Sequence, residues 1–176
     1  MNNFALKIWY DEGRMCTFYT VSKDGGEDDS ETDRFFENYA IDESPVKEEA
    51  LKLFRLVTES IGNRYGAMDA FFDRSENRAQ ALPPKPKNRV EELRELGENF
   101  PLRLFCYRIS PQIVVLFGGG LKDARTVQES AMSMKFYEAQ VFVKSIQDAI
   151  ANGIIEITKD KRYLQDYKGA SEIIYL

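Results

Sequence analysis

Leu102-Arg103-Leu104-Phe105-Cys106-Tyr107-Arg108-Ile109, then Ser110-Pro111, then Gln112-Ile113-Val114-Val115-Leu116-Phe117-Gly118-Gly119-Gly120-Leu121-Lys122 is the stretch on which the fold turns. The first run is rich in apolar, aromatic and β-favouring residues. The second is continuously apolar from Ile113 to Phe117, as in a strand buried on both faces. The Ser-Pro pair between them supplies a tight connection, so the two runs predict an antiparallel hairpin of strands over 102–109 and 112–116. Successive strand residues point to opposite faces. Leu102, Leu104, Cys106 and Arg108 therefore share one face, and Arg103, Phe105, Tyr107 and Ile109 the other.

Working outward, Phe4–Tyr10 and Met15–Val21 are two more aromatic and β-branched runs joined by Asp11-Glu12-Gly13-Arg14, a second hairpin. Ser30-Glu31-Thr32-Asp33 has the form of a loose capping box before Phe35, Phe36 and Tyr39, which predicts a short helix to about Asn38. Ser44 and Pro45 suit an N-cap and a first helical position. Val46, Ala50, Leu53, Phe54, Val57 and Ile61 then recur at three and four, and Gly62 is expected to end that helix. Residues 67–72 read as a strand, and 74–89 as a loop stiffened by Pro83, Pro84 and Pro86. A short helix is expected over 90–96, a long one over 135–151, and strands over 154–158 and 173–176. The expected core joins Leu104, Val114, Leu116, Phe54, Val57, Val143 and Ile146.

Together these elements predict one α+β domain over 1–176, with a mixed, mainly antiparallel sheet and helices packed on one side. Within it, 1–30 form a hairpin and an acidic loop, 31–151 the core, and 152–176 terminal strands. The 176 residues are 43% hydrophobic and 12% aromatic, a composition that folds. No run of 18 apolar residues occurs, and the N-terminus has no signal-peptide pattern, so a cytoplasmic location is expected.

Charge and residue usage exclude several kinds of chemistry. The chain has no histidine and two cysteines, which removes the usual general base and nucleophile pairs and leaves no zinc-ligand set. No cofactor or metal site is expected. Cys16 and Cys106 read as buried thiols. The net charge of −5 is uneven: residues 1–60 carry 7 basic and 14 acidic side chains, while residues 61–125 carry 11 basic and 8 acidic. Asp24–Asp33 holds six acids without the spacing of a calcium loop, and is expected to be exposed.

Three stretches could carry chemistry. Gly118-Gly119-Gly120 with Lys122 and Arg125 could gather N–H groups and cations on an anion, although such glycines equally serve a bulge or a close backbone approach. Arg103 beside aromatic neighbours could hold a phosphate or a base, or reach water from a sheet edge. Lys159-Asp160-Lys161-Arg162-Tyr163 reads as a solvated basic turn.

Leu93-Arg94-Glu95-Leu96, the Arg-containing strand from 102, the apolar strand ending in glycine and the cations after it resemble the sheet of the RelE/ParE toxin superfamily, most closely its HigB-type branch. The resemblance covers 90–150 best and 32–62 loosely. It implies a bacterial toxin of a toxin–antitoxin pair, a metal-independent mRNA-cleaving activity, RNA as substrate and an antitoxin as partner. Carried over by position, Arg103, Lys122 and Arg125 would be catalytic, and Arg108 and Tyr107 would contact RNA. The chain departs from the family in its Lys122-Asp123 pair where paired lysines are usual, in its length and in its acidity. The same fold could therefore serve as a non-enzymatic protein-binding module.

Overall fold

The computed structural model describes residues 4–23, 29–72, 78–85, 90–122 and 127–176. The first hairpin forms as expected, from β1 (Phe4–Tyr10) and β2 (Thr17–Lys23). α1 (Glu31–Tyr39) begins at Ser30, whose hydroxyl accepts the Asp33 N–H at 3.1 Å. α2 (Lys47–Arg55) starts later than expected, because Ser44 is spent on a turn: its hydroxyl accepts the Val46 N–H at 3.2 Å. α2 then widens into a π-helix, Leu56–Tyr65. Gly62 does not stop it. The Gly62 carbonyl turns instead to the first hairpin and accepts the N–H groups of Met15 and Cys16, at 2.8 and 3.0 Å. Gly66, at φ 78°, ends the run.

Residues 67–72 are not a strand. They form a turn and a short 3₁₀ helix, Asp69–Phe71, that carries Phe71 and Phe72 into the core. β3 (Gln80–Leu82) and α3 (Glu91–Leu96) follow. The central hairpin is β4 (Leu102–Ser110) and β5 (Ile113–Leu121). β5 is longer than predicted, since it runs through the three glycines instead of ending at them. α4 (Val127–Ala151) starts well before residue 135. β6 (Ile155–Ile157) pairs with β7 (Leu164–Asp166), a strand the sequence did not announce, and β8 (Ile173–Tyr175) closes the chain.

Among the described residues the main sheet runs β3-β4-β5-β2-β1-β8. All its neighbours are antiparallel except β2 and β5, which are parallel from Thr17↔Ile113 to Thr20↔Leu116. This is the expected α+β domain with a mixed, mainly antiparallel sheet. The N-terminal hairpin is integral to it, since β2 lies in the sheet interior. One-sided packing describes α1, α2 and α3; α4 crosses the opposite face.

Each face has its own core, because strand residues alternate between them. Leu102, Leu104, Cys106, Val114, Leu116 and Phe18 pack with Phe35, Leu53, Val57 and Phe71. Phe105, Tyr107, Val115, Phe117 and Tyr19 pack with Phe142, Val143 and Ile146. The expected joint core is thus two cores, and Val143 and Ile146 lie in the second. Phe54 belongs to neither; it is 39% exposed and meets Trp9 and Phe36, themselves stacked, in edge-on ring contacts. Cys16 and Cys106 are both free, buried thiols, and burial pushes the Cys16 thiol up to about 12 against a smaller lowering by Arg162.

The basic turn at 159–163 is partly structural. The Arg162 guanidinium donates to the carbonyls of Gly13 and Arg14, at 2.7 and 2.8 Å. Tyr19, fully buried, accepts the Leu164 N–H at 2.9 Å. These bonds fasten the β6–β7 ribbon to the first hairpin.

Leu104→Ala and Leu116→Ala should each cost about 2–5 kcal/mol in urea unfolding, as large-to-small changes in a closed core do. Phe54→Ala should cost about 1 kcal/mol or less, since its site is already open to solvent. Equal losses at all three positions would contradict the placing of Phe54 outside the core.

Candidate anion site at the carboxyl ends of β2 and β5

Parallel β2 and β5 end side by side, and their next helices depart to opposite faces, α1 over the first core and α4 over the second. Where two neighbouring parallel strands part in this way, the backbone opens a cleft at their carboxyl ends, and ligands of open sheets commonly bind there. The residues gathered at this end are Lys23 at the end of β2, Glu31 and Arg34 in α1, Gly118–Lys122 at the end of β5, and Lys135 and Glu138 in α4.

Glu31 is the centre of the group. It lies in the segment expected to be exposed, yet it is 3% exposed, and Ser30 and Thr32 beside it are also buried. Residues 24–28 of that segment lie outside the described residues. Thr32 and Thr20 explain the inward pull: their hydroxyls are 2.6 Å apart, Thr32 also donates to the Leu116 carbonyl at 3.4 Å, and the start of α1 is thereby pinned across β2 and β5. The Glu31 carboxylate meets Lys135 at 2.9 Å, Lys23 at 3.6 Å and Arg34 at 3.7 Å. Its place in the first turn of α1 adds the positive end of the helix dipole. Burial alone would raise its carboxyl; the hydrogen bond and charge of Lys135, with Lys23 and Arg34, outweigh burial and hold it below the usual range.

The glycines make this packing feasible. A Cβ at Gly118 would stand 3.1 Å from Glu31 Oε2 and 3.6 Å from the Lys135 side chain. A Cβ at Gly119 would sit 1.8 Å from the Arg103 carbonyl oxygen, where β5 bulges against β4. The glycine run is thus first a close-approach device, with Gly119 and Gly120 in register with Leu104 and Arg103 of β4.

The sequence-predicted residues divide. Arg103 and Lys122 do come to one end of the hairpin, since Leu102 pairs with Leu121 and the Lys122 N–H donates to the Pro101 carbonyl at 2.6 Å. Lys122 is exposed. Arg103 turns its guanidinium onto the Leu102 and Phe100 carbonyls, at 2.9 and 3.3 Å. Arg125 lies outside the described residues. Arg108 and Tyr107 are not brought to this site. Arg108, towards the other end of β4 and on the other face from Arg103, pairs with Asp69 at 2.7 Å, donates to the Ala67 carbonyl at 2.9 Å and lies over the Phe72 ring. Tyr107 is buried against α4, its hydroxyl accepting from Gln147 at 3.3 Å. Lys23, Glu31, Lys135 and Glu138 were missed; Lys23, Glu31 and Lys135 are 8 and 104 residues apart along the chain, and no local pattern joins them.

No protein-family model, curated protein or solved structure matches this chain. Function is therefore read from the site. Among the described residues no group of three or more histidine, cysteine or acidic side chains is arranged to hold a metal, and no helix is long and apolar enough to cross a membrane. A separate shallow groove lies between the π-helix and α3, lined by Lys52, Arg55, Glu59, Ser60, Glu92 and Glu95, with charges of both signs and hence no clear preference for a ligand.

Because the folded-state pKa of Glu31 is depressed, its stabilising contribution is present above the unfolded carboxyl value and is lost as pH falls through the lower folded one. Glu31→Gln should therefore destabilise the protein at pH 7 by about 1–3 kcal/mol and flatten the loss of stability on acidification from about pH 5 downward. Parallel acid titrations of Tm for the two proteins check this. Identical slopes would mean that Glu31 is not held ionised in the fold.

Proposed function

We propose that this protein binds a phosphate-bearing ligand, RNA foremost, at the carboxyl ends of β2 and β5. The observation that carries this is the meeting of Lys23, Arg34 and Lys135 on one buried carboxylate at the point where α1 and α4 part, with Lys122 exposed at the same end of the sheet. These three cations outnumber Glu31 and Glu138, so the cluster keeps positive charge on a chain of net charge −5. A local cationic site on an acidic protein selects a strand that can reach it and repels loose association elsewhere.

Binding is better supported than cleavage. An effective general base has a pKa near the working pH, whereas Glu31 is held below the ordinary carboxyl range and already engaged by cations. Of the three cations the toxin resemblance would make catalytic, Arg103 is bonded to backbone carbonyls beside it. A RelE/ParE-type origin, with a cytoplasmic setting and an antitoxin partner, is consistent with this reading as a proposal: an RNA-directed, toxin-related protein that holds RNA more readily than it cuts it. A second reading, a protein-binding module, draws on α4, where Met134 and Tyr137 are 73% and 72% exposed at an i,i+3 spacing. Met134→Glu with Tyr137→Glu would abolish partner capture in that case and leave RNA binding unchanged.

The test is fluorescence anisotropy with a labelled single-stranded RNA of about ten nucleotides, a length typical of single-strand sites. The expected result is an affinity that falls steeply with salt, and a loss of roughly tenfold when Lys122 and Lys135 are both changed to Ala. RNA recovered after incubation should be intact. Absence of binding at low salt would overturn the reading; salt-sensitive binding with fragmented RNA would restore the nuclease expectation.

A further inference from the structure

We propose that, in the protein without ligand, the Glu138 carboxylate occupies the seat of the ligand's phosphate, between the ammonium groups of Lys23 and Lys135. This inference rests on the anion-binding reading above and names the point of contact and its self-regulation.

The four side chains form a ring. Glu138 Oε2 lies 2.8 Å from Lys23 Nζ, and its Oε1 lies 3.9 Å from Lys135 Nζ. On the other side Glu31 meets the same two ammonium groups, at 3.6 and 2.9 Å. The two carboxylates are not equivalent. Glu31 is 3% exposed and fixed by the start of α1, so it is the floor of the seat. Glu138, 33% exposed beside lysines that are 38% and 39% exposed, is far more open than Glu31, and it grips one of them tightly and the other loosely. A carboxylate with two oxygens on a helical stem bridges the pair poorly. A phosphate presents oxygens in several directions and can meet both ammonium groups at hydrogen-bond distance.

Charge gives the same answer. With Glu138 in place, three cations face two carboxylates; with Glu138 swung out, Lys23, Arg34 and Lys135 face Glu31 alone. The two surplus charges suit a phosphate. Swinging Glu138 out takes no member from either apolar core, since the residue belongs to neither. The side chain thus acts as a tethered competitor, and the apparent affinity for ligand is reduced by the fraction of time the seat is filled from within.

Glu138→Ala should tighten binding of inorganic phosphate, followed by NMR titration, and of the short RNA, followed by anisotropy, by about two- to fivefold, the equivalent of relieving a partly exposed ion pair. Glu138→Gln should do the same, and matched melting curves would show that both variants fold. Asp148→Ala removes an equal charge from the same helix, where Asp148 pairs with Lys144 at 2.8 Å, and should leave binding unchanged. Adding Lys135→Ala to Glu138→Ala should cancel the gain. If the wild type binds RNA but Glu138→Ala binds no tighter than Asp148→Ala, the competitor role is wrong while the anion-binding reading stands. If neither the wild type nor any variant binds phosphate or RNA, the anion-binding reading itself falls, and this inference with it.

Discussion

A carboxylate buried under three cations is the constraint around which this fold is arranged. Taking the Glu31 charge out of water costs several kcal/mol unless it is matched. The match comes from three separate elements: Lys23 from β2, Arg34 from α1 and Lys135 from α4. None of these contacts is strong alone, and the cations keep much of their exposure. The stabilisation comes from their meeting on one acceptor at a helix N-terminus, above a buried Thr20–Thr32 hydroxyl pair that fixes where that helix begins. Loosening any one element leaves Glu31 buried with less compensation. The parallel β2–β5 pairing, the direction of α1 and the lie of α4 are therefore mutually dependent.

What the sequence made legible was whatever repeats locally. Strand alternation over 102–109 assigned every residue to its face, and the glycine run was readable as a close approach. The capping residue of α1, the first hairpin and the end of α3 at Gly97 were legible for the same reason: each depends on a few neighbouring residues. The π-helix was not, because it arises from a distant demand: the first hairpin presents the N–H groups of Met15 and Cys16 to Gly62, and helix-period reasoning contains no such term. Phe54 fitted the apolar period of α2 but lies at its rim, edge-on to Trp9. The site failed on the same ground. Glu31 looked like one of six acids in a solvated run, and nothing nearby signals that Lys135 will reach it. Arg108 and Tyr107 were assigned to RNA from the toxin resemblance; their partners, Asp69 and Gln147, come from elsewhere in the chain.

The sheet separates two cores that share little besides its backbone. Across most of its width the partition is apolar on both sides, with Leu104, Leu116 and Cys106 facing one core and Phe105, Phe117 and Tyr19 the other. At the carboxyl ends of β2 and β5 the partition thins. Gly118 and Gly120 have no side chains to keep the layers apart, and side chains from both helices come over them: Glu31 and Lys135 near Gly118, Tyr39 and Met132 near Gly120. Larger residues here would wedge the helices apart and leave Glu31 without its partner in α4. The glycine run, which could equally have gathered N–H groups on an anion, is thus, physically, what lets two helices on opposite faces touch.

That contact is also why an anion at this point would matter to the whole molecule. A ligand seated between Lys23 and Lys135 would bridge β2, at the base of the first core's α1, to α4, which covers the second. Binding energy at such a junction is shared between recognition and cohesion, since any species bound by the folded state alone raises its stability by mass action. The cluster already performs the cohesive half of this task with its own carboxylates. Because Glu31 is nearly inaccessible and Glu138 is not, the inner half of the ring is fixed by folding and the outer half can be exchanged. Burying the second carboxylate as well would add another desolvation cost, and Glu138 stays partly exposed. Leaving one at the surface, on lysines that reach it unequally, gives the junction the asymmetry that a binding site needs.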